Sequence, residues 1–219
     1  EETLIKYLNE EPLHNILGSS FYDRNNSKKV YTNNKRQRIK DYSILPSAYL
    51  EGTFEDLFRK YDYNWTLTWE TNRGCPFKCT FCVNNTFHKM YPHQKPIRKR
   101  SVDNIIMELQ EVKRNLPFVK VMLFEDDAFF IIPLETIREF GKKYKEIIKM
   151  PLAITGATPS TLTREKLAIL VDAGLISIRM GIESAAKETK KFYKRPISNI
   201  QVLKAARLIS EYRNYTKIF

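Results

Sequence analysis

The second half of the chain alternates between two hydrophobic patterns. Short apolar runs predict three buried strands, at residues 119–124, 152–156 and 176–181. Apolar residues spaced three and four positions apart predict four helices, at residues 102–112, about 134–148, 164–171 and 200–209. Ser101 and Thr163 are the expected N-caps of the first and third helices, and Pro117 is expected to end the first.

A further strand-like run at residues 65–71 precedes these elements, so the chain contains four strand-helix units with short connections. Alternation of this kind predicts an α/β fold, in which a parallel sheet with right-handed crossovers is covered by helices. In such folds the chemistry gathers beyond the carboxyl ends of the strands. We therefore expect the functional site at that edge of the sheet.

Residues 1–62 have a weaker hydrophobic pattern, with too little apolar content for a core of their own. The pattern predicts a short helix at residues 2–9 and a surface hairpin with strands at residues 18–23 and 29–33. It also predicts an extended segment at residues 44–47 and a helical turn or more at residues 55–60. We interpret residues 1–62 as a linker and hairpin that lead into one domain, residues 63–219.

The charge of the chain permits contact with a polyanion without establishing it. There are 37 basic and 25 acidic residues, for a net charge of +12. Much of the surplus falls in residues 24–40 and 89–100, which lack the regular aromatic interleaving of single-strand nucleic-acid surfaces. We therefore favour two solvated basic loops over a nucleic-acid interface.

The cysteine count and the apolar runs bear on location. An odd number of closely spaced cysteines is a poor disulfide framework, so we expect a reducing, cytoplasmic environment. The longest apolar run, residues 128–134, is much shorter than the ~18 residues of a membrane span, and the start does not resemble a signal peptide. Because Glu1 is not an initiator methionine, we expect the chain to be a piece of a longer protein.

All three cysteines, Cys75, Cys79 and Cys82, lie in one loop directly after the first predicted strand. Three thiolates on one tight loop can bind three irons of a four-iron cluster and leave the fourth iron without a protein ligand. The alternative is a zinc site completed by His88 or His93. Structural zinc sites normally join two separate knuckles, and the end of a strand is a place for a cofactor. Both arguments favour the cluster.

This cysteine motif, with Phe81 before the last cysteine and four strand-helix units around it, resembles the core of the radical S-adenosylmethionine (SAM) superfamily. The resemblance implies a partial (β/α)6 barrel whose cysteines hold a [4Fe-4S] cluster, with SAM chelating the open iron. It also implies an electron donor, such as flavodoxin or ferredoxin, and cleavage of SAM to methionine and a 5'-deoxyadenosyl radical. The cofactors carry the difficult chemistry, while the protein positions them and excludes water.

Further segments are similar to the branch of this superfamily that carries an amino-terminal cobalamin-binding domain, namely residues 45–50, 70–82, 124–129 and 180–184. The branch implies cobalamin as a further cofactor, and methylation of an unactivated carbon or a related radical rearrangement. The cobalamin signature Asp-x-His-x-x-Gly is absent from these residues. We therefore expect a truncated barrel that follows a cobalamin domain outside this sequence.

The resemblance assigns SAM contacts to residues that follow the second and fourth predicted strands. Phe124, Glu125 and Asp126 correspond to the loop that meets the SAM amino group, partly through backbone carbonyls. Glu183 corresponds to the acidic residue near the SAM ribose, and Gly181 allows close approach. For Asp126 the alternative is a structural role, as a cap of the following segment.

Three further residues are candidates for the same cofactor. Arg179 and Gly181 share one face of a strand because side chains alternate, so Arg179 is a candidate to bind the SAM carboxylate. Thr155 and Ser160 lie around the end of the third predicted strand and can meet the cofactor. A structural ion pair between Arg179 and Glu183 is the alternative. The sequence identifies neither a catalytic residue nor the substrate.

Two alternative functions stay open at this point. One is a methylthiotransferase-like radical SAM enzyme that modifies RNA, which the net charge of +12 favours. The other is a non-catalytic binding module whose cysteine loop is held together by a structural metal ion.

Overall fold

The computed structural model describes residues 6–22, 29–41, 43 and 66–212, with only the backbone described at residues 22 and 66–69. The chain divides into two compact units, residues 1–39 and 40–219. Several predictions lie outside the described residues: the extended segment at 44–47, the resemblance at 45–50, the helical turn at 55–60 and the domain boundary near residue 62.

The first unit contains a two-stranded antiparallel sheet. Strand β1 (Ser20–Tyr22) pairs with β2 (Val30–Thr32), and the rings of Phe21 and Tyr31 stack at 5.5 Å. The side-chain amide of Asn33 donates to the Leu13 carbonyl at 2.6 Å. The two predicted hairpin strands are thus confirmed, and residues 6–8 of the predicted first helix are helical.

The second unit alternates strands and helices. Its elements are β3 (Thr66–Trp69), β4 (Asn72–Arg73), α1 (Val83–Met90), β5 (Arg98–Lys99), α2 (Val102–Asn115), β6 (Val121–Phe124), α3 (Leu134–Lys143), β7 (Leu152–Ala157), α4 (Arg164–Asp172), β8 (Leu175–Met180), α5 (Lys187–Phe192) and α6 (Asn199–Ser210). The helix predicted over residues 134–148 is α3 continued by a π-helical turn, Tyr144–Ile148. Both predicted caps are present: Ser101 accepts from the Asn104 amide and Thr163 from the Lys166 amide.

The main sheet is parallel, in the order β3-β6-β7-β8. Trp69 lies opposite Phe124, which in turn lies opposite Ile154. The carboxyl ends of the four strands therefore meet at one edge. This architecture confirms the predicted α/β fold and partial barrel.

The core joins the sheet to its helices. Met122 and Phe124, two residues apart on β6, are fully buried, as the two-residue period of a strand predicts. The Phe124 ring contacts the rings of Phe129, Phe140 and Tyr144. Burying a large apolar side chain contributes about 1.5–3 kcal/mol each, so this cluster holds the end of β6 in place.

The prediction of a basic loop over residues 89–100 is wrong in part. Lys89 belongs to α1, and Arg98 and Lys99 form β5, which pairs antiparallel with β4. Two-residue strands have no detectable periodicity. Strand β5 is recognised only through its pairing with β4, which lies just before the cysteines. No helix in the described part of the chain is long and apolar enough to cross a membrane.

Candidate functional site

A cavity of about 390 Å³ lies where the main strands end. It is lined by residues of the cysteine segment, by the residues that end or follow β6, β7 and β8, and by one residue beyond α5: Cys75, Phe77, Cys79, Phe81, Cys82, Asn84, Asp127, Gly156, Ala157, Thr158, Arg179, Met180, Gly181, Glu183 and Arg195. The structure therefore brings together six of the predicted site residues: Cys75, Cys79, Cys82, Arg179, Gly181 and Glu183.

The other predicted cofactor residues lie near this cavity in the chain but do not line it. The Phe124 ring is in the core, and its carbonyl accepts a hydrogen bond from the Thr155 hydroxyl at 3.3 Å. Glu125 and Ser160 are exposed, and Asp126 is buried. Their assignment to SAM stays a prediction.

The three thiols are free and differ in exposure. Cys79 is buried, whereas Cys75 and Cys82 are partly buried. The loop is closed by the Cys82 amide, which donates to the Cys79 carbonyl at 3.1 Å. Helix α1 begins directly after Cys82, so the partial positive charge of its N-terminus lies beside the third sulfur. The Asn84 side-chain amide also donates to this sulfur, at 3.7 Å.

Gly74, directly before the first cysteine, occupies a position that only glycine fits. Its φ is +98°, and a Cβ there would lie 1.9 Å from the Pro96 carbonyl oxygen. Its amide donates to the Asp127 carboxylate at 2.8 Å. The entry to the cysteine loop is therefore fixed both by the segment before β5 and by the residues after β6.

Asp126 anchors the same region from within the protein. Its carboxylate accepts hydrogen bonds from the Thr71 and Asn72 amides, at 2.6 and 3.1 Å. The Thr71 hydroxyl and the Asn72 side-chain amide donate to its other oxygen. Four donors from the segment between β3 and the cysteines thus meet one carboxylate after β6. Burial raises the pKa of Asp126 to about 7, although the hydrogen bonds from Thr71 and Asn72 oppose this rise.

The contribution of Asp126 to the free energy of unfolding is expected to fall as the pH rises from about 4 to about 7. Its pKa is higher in the folded state than the ordinary value of 3.8, so its contribution is fully present below that value and lost through the folded pKa of about 7. The measurement is the urea midpoint against pH for the wild type and Asp126→Asn, which cannot titrate. Parallel pH profiles of the two proteins would contradict the raised pKa.

The protonation of Cys75 bears on metal binding. Burial raises the pKa of the Cys75 thiol to about 11; a backbone hydrogen bond at Phe77 opposes this rise, and the Asp127 charge reinforces it. Metals bind the thiolate form of cysteine. Binding of a metal here therefore releases a proton from Cys75.

Arg195 is the main residue of the cavity that sequence reasoning missed. Its guanidinium donates to the Cys79 sulfur at 3.7 Å and to the Gly181 carbonyl at 2.8 Å. It lies 116 residues from Cys79 in the chain, outside any motif. Thr158 and Asn84 were missed as well, although Asn84 could have been suggested by its place two residues after Cys82.

The potential metal donors that line the cavity are the three thiols and the carboxylates of Asp127 and Glu183. Among the described residues that line it, none is a histidine. The His88 Nε2 atom lies 2.7 Å from the Cys75 carbonyl oxygen, so this ring nitrogen is engaged by the backbone. Within the described ranges, no group of three or more histidine, cysteine, aspartate or glutamate side chains is arranged to hold a single metal ion. In a cysteine-ligated iron–sulfur cluster each thiolate binds a different iron, so three thiols on one loop around a shared cavity fit such a cluster.

The match to a family model agrees with this geometry. The model described as the radical SAM superfamily matches residues 69–219, which include the last residue of β3, the three cysteines and all of β6, β7 and β8. The chain belongs to the radical SAM superfamily. The family predicted from the cysteine motif is thus confirmed.

The chain is also similar to individual known proteins. The chain is 30% identical, in an alignment of 124 positions that covers 52% of the chain, to the anaerobic magnesium-protoporphyrin IX monomethyl ester cyclase of Rubrivivax gelatinosus. Its structure resembles the cobalamin-dependent SAM radical enzyme OxsB with aqua-cobalamin and SAM bound, with a TM-score of 0.69, 21% identity and 94% of this chain covered. It also resembles the radical SAM methyltransferase TsrM of Kitasatospora setae with cobalamin and a [4Fe-4S] cluster bound, with a TM-score of 0.53, 16% identity and 66% coverage.

The chain spans only a part of these proteins: 20% of the cyclase, 30% of OxsB and 28% of TsrM. The identities to OxsB and TsrM are low, so these two likenesses show the shared fold.

Proposed function

We propose that this chain supplies the cluster-binding and SAM-binding core of a radical SAM enzyme of the cobalamin-associated branch. The observation that carries the proposal is that three free thiols and the ends of β7 and β8 line one shared cavity. When bound, a [4Fe-4S] cluster would supply the electron that cleaves the sulfonium of SAM. A donor such as flavodoxin or ferredoxin would deliver this electron, and a site of three free thiols suits the reducing cytoplasm.

The residues that line the cavity have distinct roles in the proposed enzyme. Cys75, Cys79 and Cys82 would hold the cluster as thiolates. Arg179 and Glu183 provide a cation and an anion on the β8 side of the same cavity, which suits the carboxylate and the ribose hydroxyls of SAM. Gly181 leaves the backbone between them free of a side chain. The enzyme would thus orient SAM by charge on one wall and by the cluster on the other.

The structural neighbours support the cobalamin branch. OxsB was solved with aqua-cobalamin and SAM, and TsrM with cobalamin and a [4Fe-4S] cluster. The proposed reaction is methylation of an unactivated carbon, or a related radical rearrangement. The cobalamin itself would be bound by a domain outside this sequence, as in the resemblance described above.

Anaerobic reconstitution with iron and sulfide tests the proposal. We expect about four irons and four sulfides per chain, and reductive cleavage of SAM to methionine and 5'-deoxyadenosine. Uptake of zinc in place of iron and sulfide, without SAM cleavage, would instead indicate a non-catalytic binding module with a structural metal ion.

The branch is tested separately, with the full-length protein. Stoichiometric binding of added cobalamin, followed by its absorption spectrum, supports the cobalamin branch. Tight RNA binding with a steep salt dependence, and no cobalamin binding, would favour the RNA-modifying alternative.

A further inference from the structure

Arg195 connects the segment after α5 to the cysteine loop. Its side chain is only 10% exposed. One terminal nitrogen, Nη1, donates to the Cys79 sulfur at 3.7 Å, and the other, Nη2, donates to the Gly181 carbonyl at 2.8 Å. The guanidinium therefore lies between a proposed cluster ligand and the end of β8.

The backbone around Arg195 is held against the cysteine loop by independent contacts. The Thr80 amide donates to the Tyr193 carbonyl at 3.0 Å, and the Thr80 hydroxyl donates to the Phe192 carbonyl at 3.1 Å. The Tyr193 ring meets the Phe81 ring edge-on, with centroids 5.0 Å apart. Lys194 has a φ of +51°, a left-handed conformation that turns the chain directly before Arg195. These contacts hold the backbone of Arg195 in place beside the cysteine loop.

The positive charge of Arg195 is only partly balanced within this site. Its ion-pair partner among the described residues, Glu183 Oε1, lies 3.8 Å away, and the Glu183 side chain is 37% exposed. Among the described residues, the buried Nε of Arg195 has no hydrogen-bond partner. A Cβ on Gly181 would lie 3.2 Å from Arg195 Nη2 and 2.7 Å from Glu183 Oε1, so the glycine leaves room for this pair. A cation of low exposure thus lies against the sulfur of Cys79.

We propose that Arg195 is a positioning residue for the iron–sulfur cluster, which orients Cys79 and raises the reduction potential of the cluster bound there. The inference rests on the proposed function, because it requires a cluster on Cys79. Hydrogen bonds to the cysteine sulfurs and nearby positive charge stabilise the reduced cluster, which carries one more negative charge. The low exposure of the guanidinium strengthens this effect, since charges interact more strongly away from water.

The test compares three variants of the anaerobically reconstituted protein in the absence of SAM. Arg195→Gln removes the charge and the contact to Cys79, and Arg195→Lys keeps the charge. Lys191→Gln is the matched control, because Lys191 is an exposed residue of α5 that also loses one positive charge. The readouts are the iron content, the circular dichroism of the helices and the midpoint potential of the cluster from a redox titration followed by EPR.

We expect the potential of Arg195→Gln to shift to more negative values, Arg195→Lys to recover part of the shift, and Lys191→Gln to match the wild type. Loss of the cluster from Arg195→Gln with native helices, while Lys191→Gln retains it, also supports the positioning role. Equal potentials in the wild type and Arg195→Gln, or equal shifts in Arg195→Gln and Lys191→Gln, would overturn it. A wild-type protein that takes up no iron and sulfide would instead refute the proposed function itself.

Discussion

Cys79→Ala is expected to abolish cluster binding and reduce SAM cleavage to the level of a protein-free control, while the helices stay largely formed. Three thiolates hold the proposed cluster, and the chain has no fourth cysteine to replace the one removed. The main core does not depend on the cysteine loop, because it is built from the strands β6, β7 and β8 and the helices that cover them. The measurements are iron and sulfide content, 5'-deoxyadenosine formation and far-UV circular dichroism.

Thr86→Ala provides the control for this variant. Thr86 is an exposed residue of α1, one helical turn after Cys82, and should retain both cluster and activity. Loss of the helical signal in Cys79→Ala would show that the cluster is needed for folding. Retention of about four irons per chain in that variant would contradict the proposed ligand set.

Asp126→Ala is expected to lower the free energy of unfolding by about 3 kcal/mol or more, because it leaves several buried donors without an acceptor. These donors are the Thr71 and Asn72 amides, the Thr71 hydroxyl and the Asn72 side chain. Both Thr71 and Asn72 are buried, so water cannot easily replace the lost carboxylate. Urea unfolding of the apoprotein at pH 7 measures the difference.

The neighbouring Asp127 offers a matched control. It is exposed and accepts one described hydrogen bond, from the Gly74 amide, so Asp127→Ala should cost about 1 kcal/mol or less. Equal destabilisation by the two variants would show that the hydrogen bonds of Asp126 do not anchor the segment before the cysteines.

Local pattern was enough to predict most of the second unit. The strands β6, β7 and β8 and the helices α2, α3 and α4 were predicted because apolar spacing and capping residues act within one element. The elements that were missed are short. Helices α1 and α5 and the β4–β5 pair have too few residues for a periodic signal, and the pair depends on residues more than twenty positions apart.

The residues of the candidate site likewise fall into those that local pattern predicts and those that only tertiary contacts reveal. The sequence by itself determined the three cysteines, their family and the strand ends around them, because the spacing of residues in one loop and the period of a strand are local properties. Only the tertiary structure decided that Asp126 turns inward to anchor the loop and that Arg195, 116 residues from Cys79, lies against its sulfur. Contacts of this kind join distant segments, and their geometry is set by the packing of the whole sheet and not by the residues near either partner.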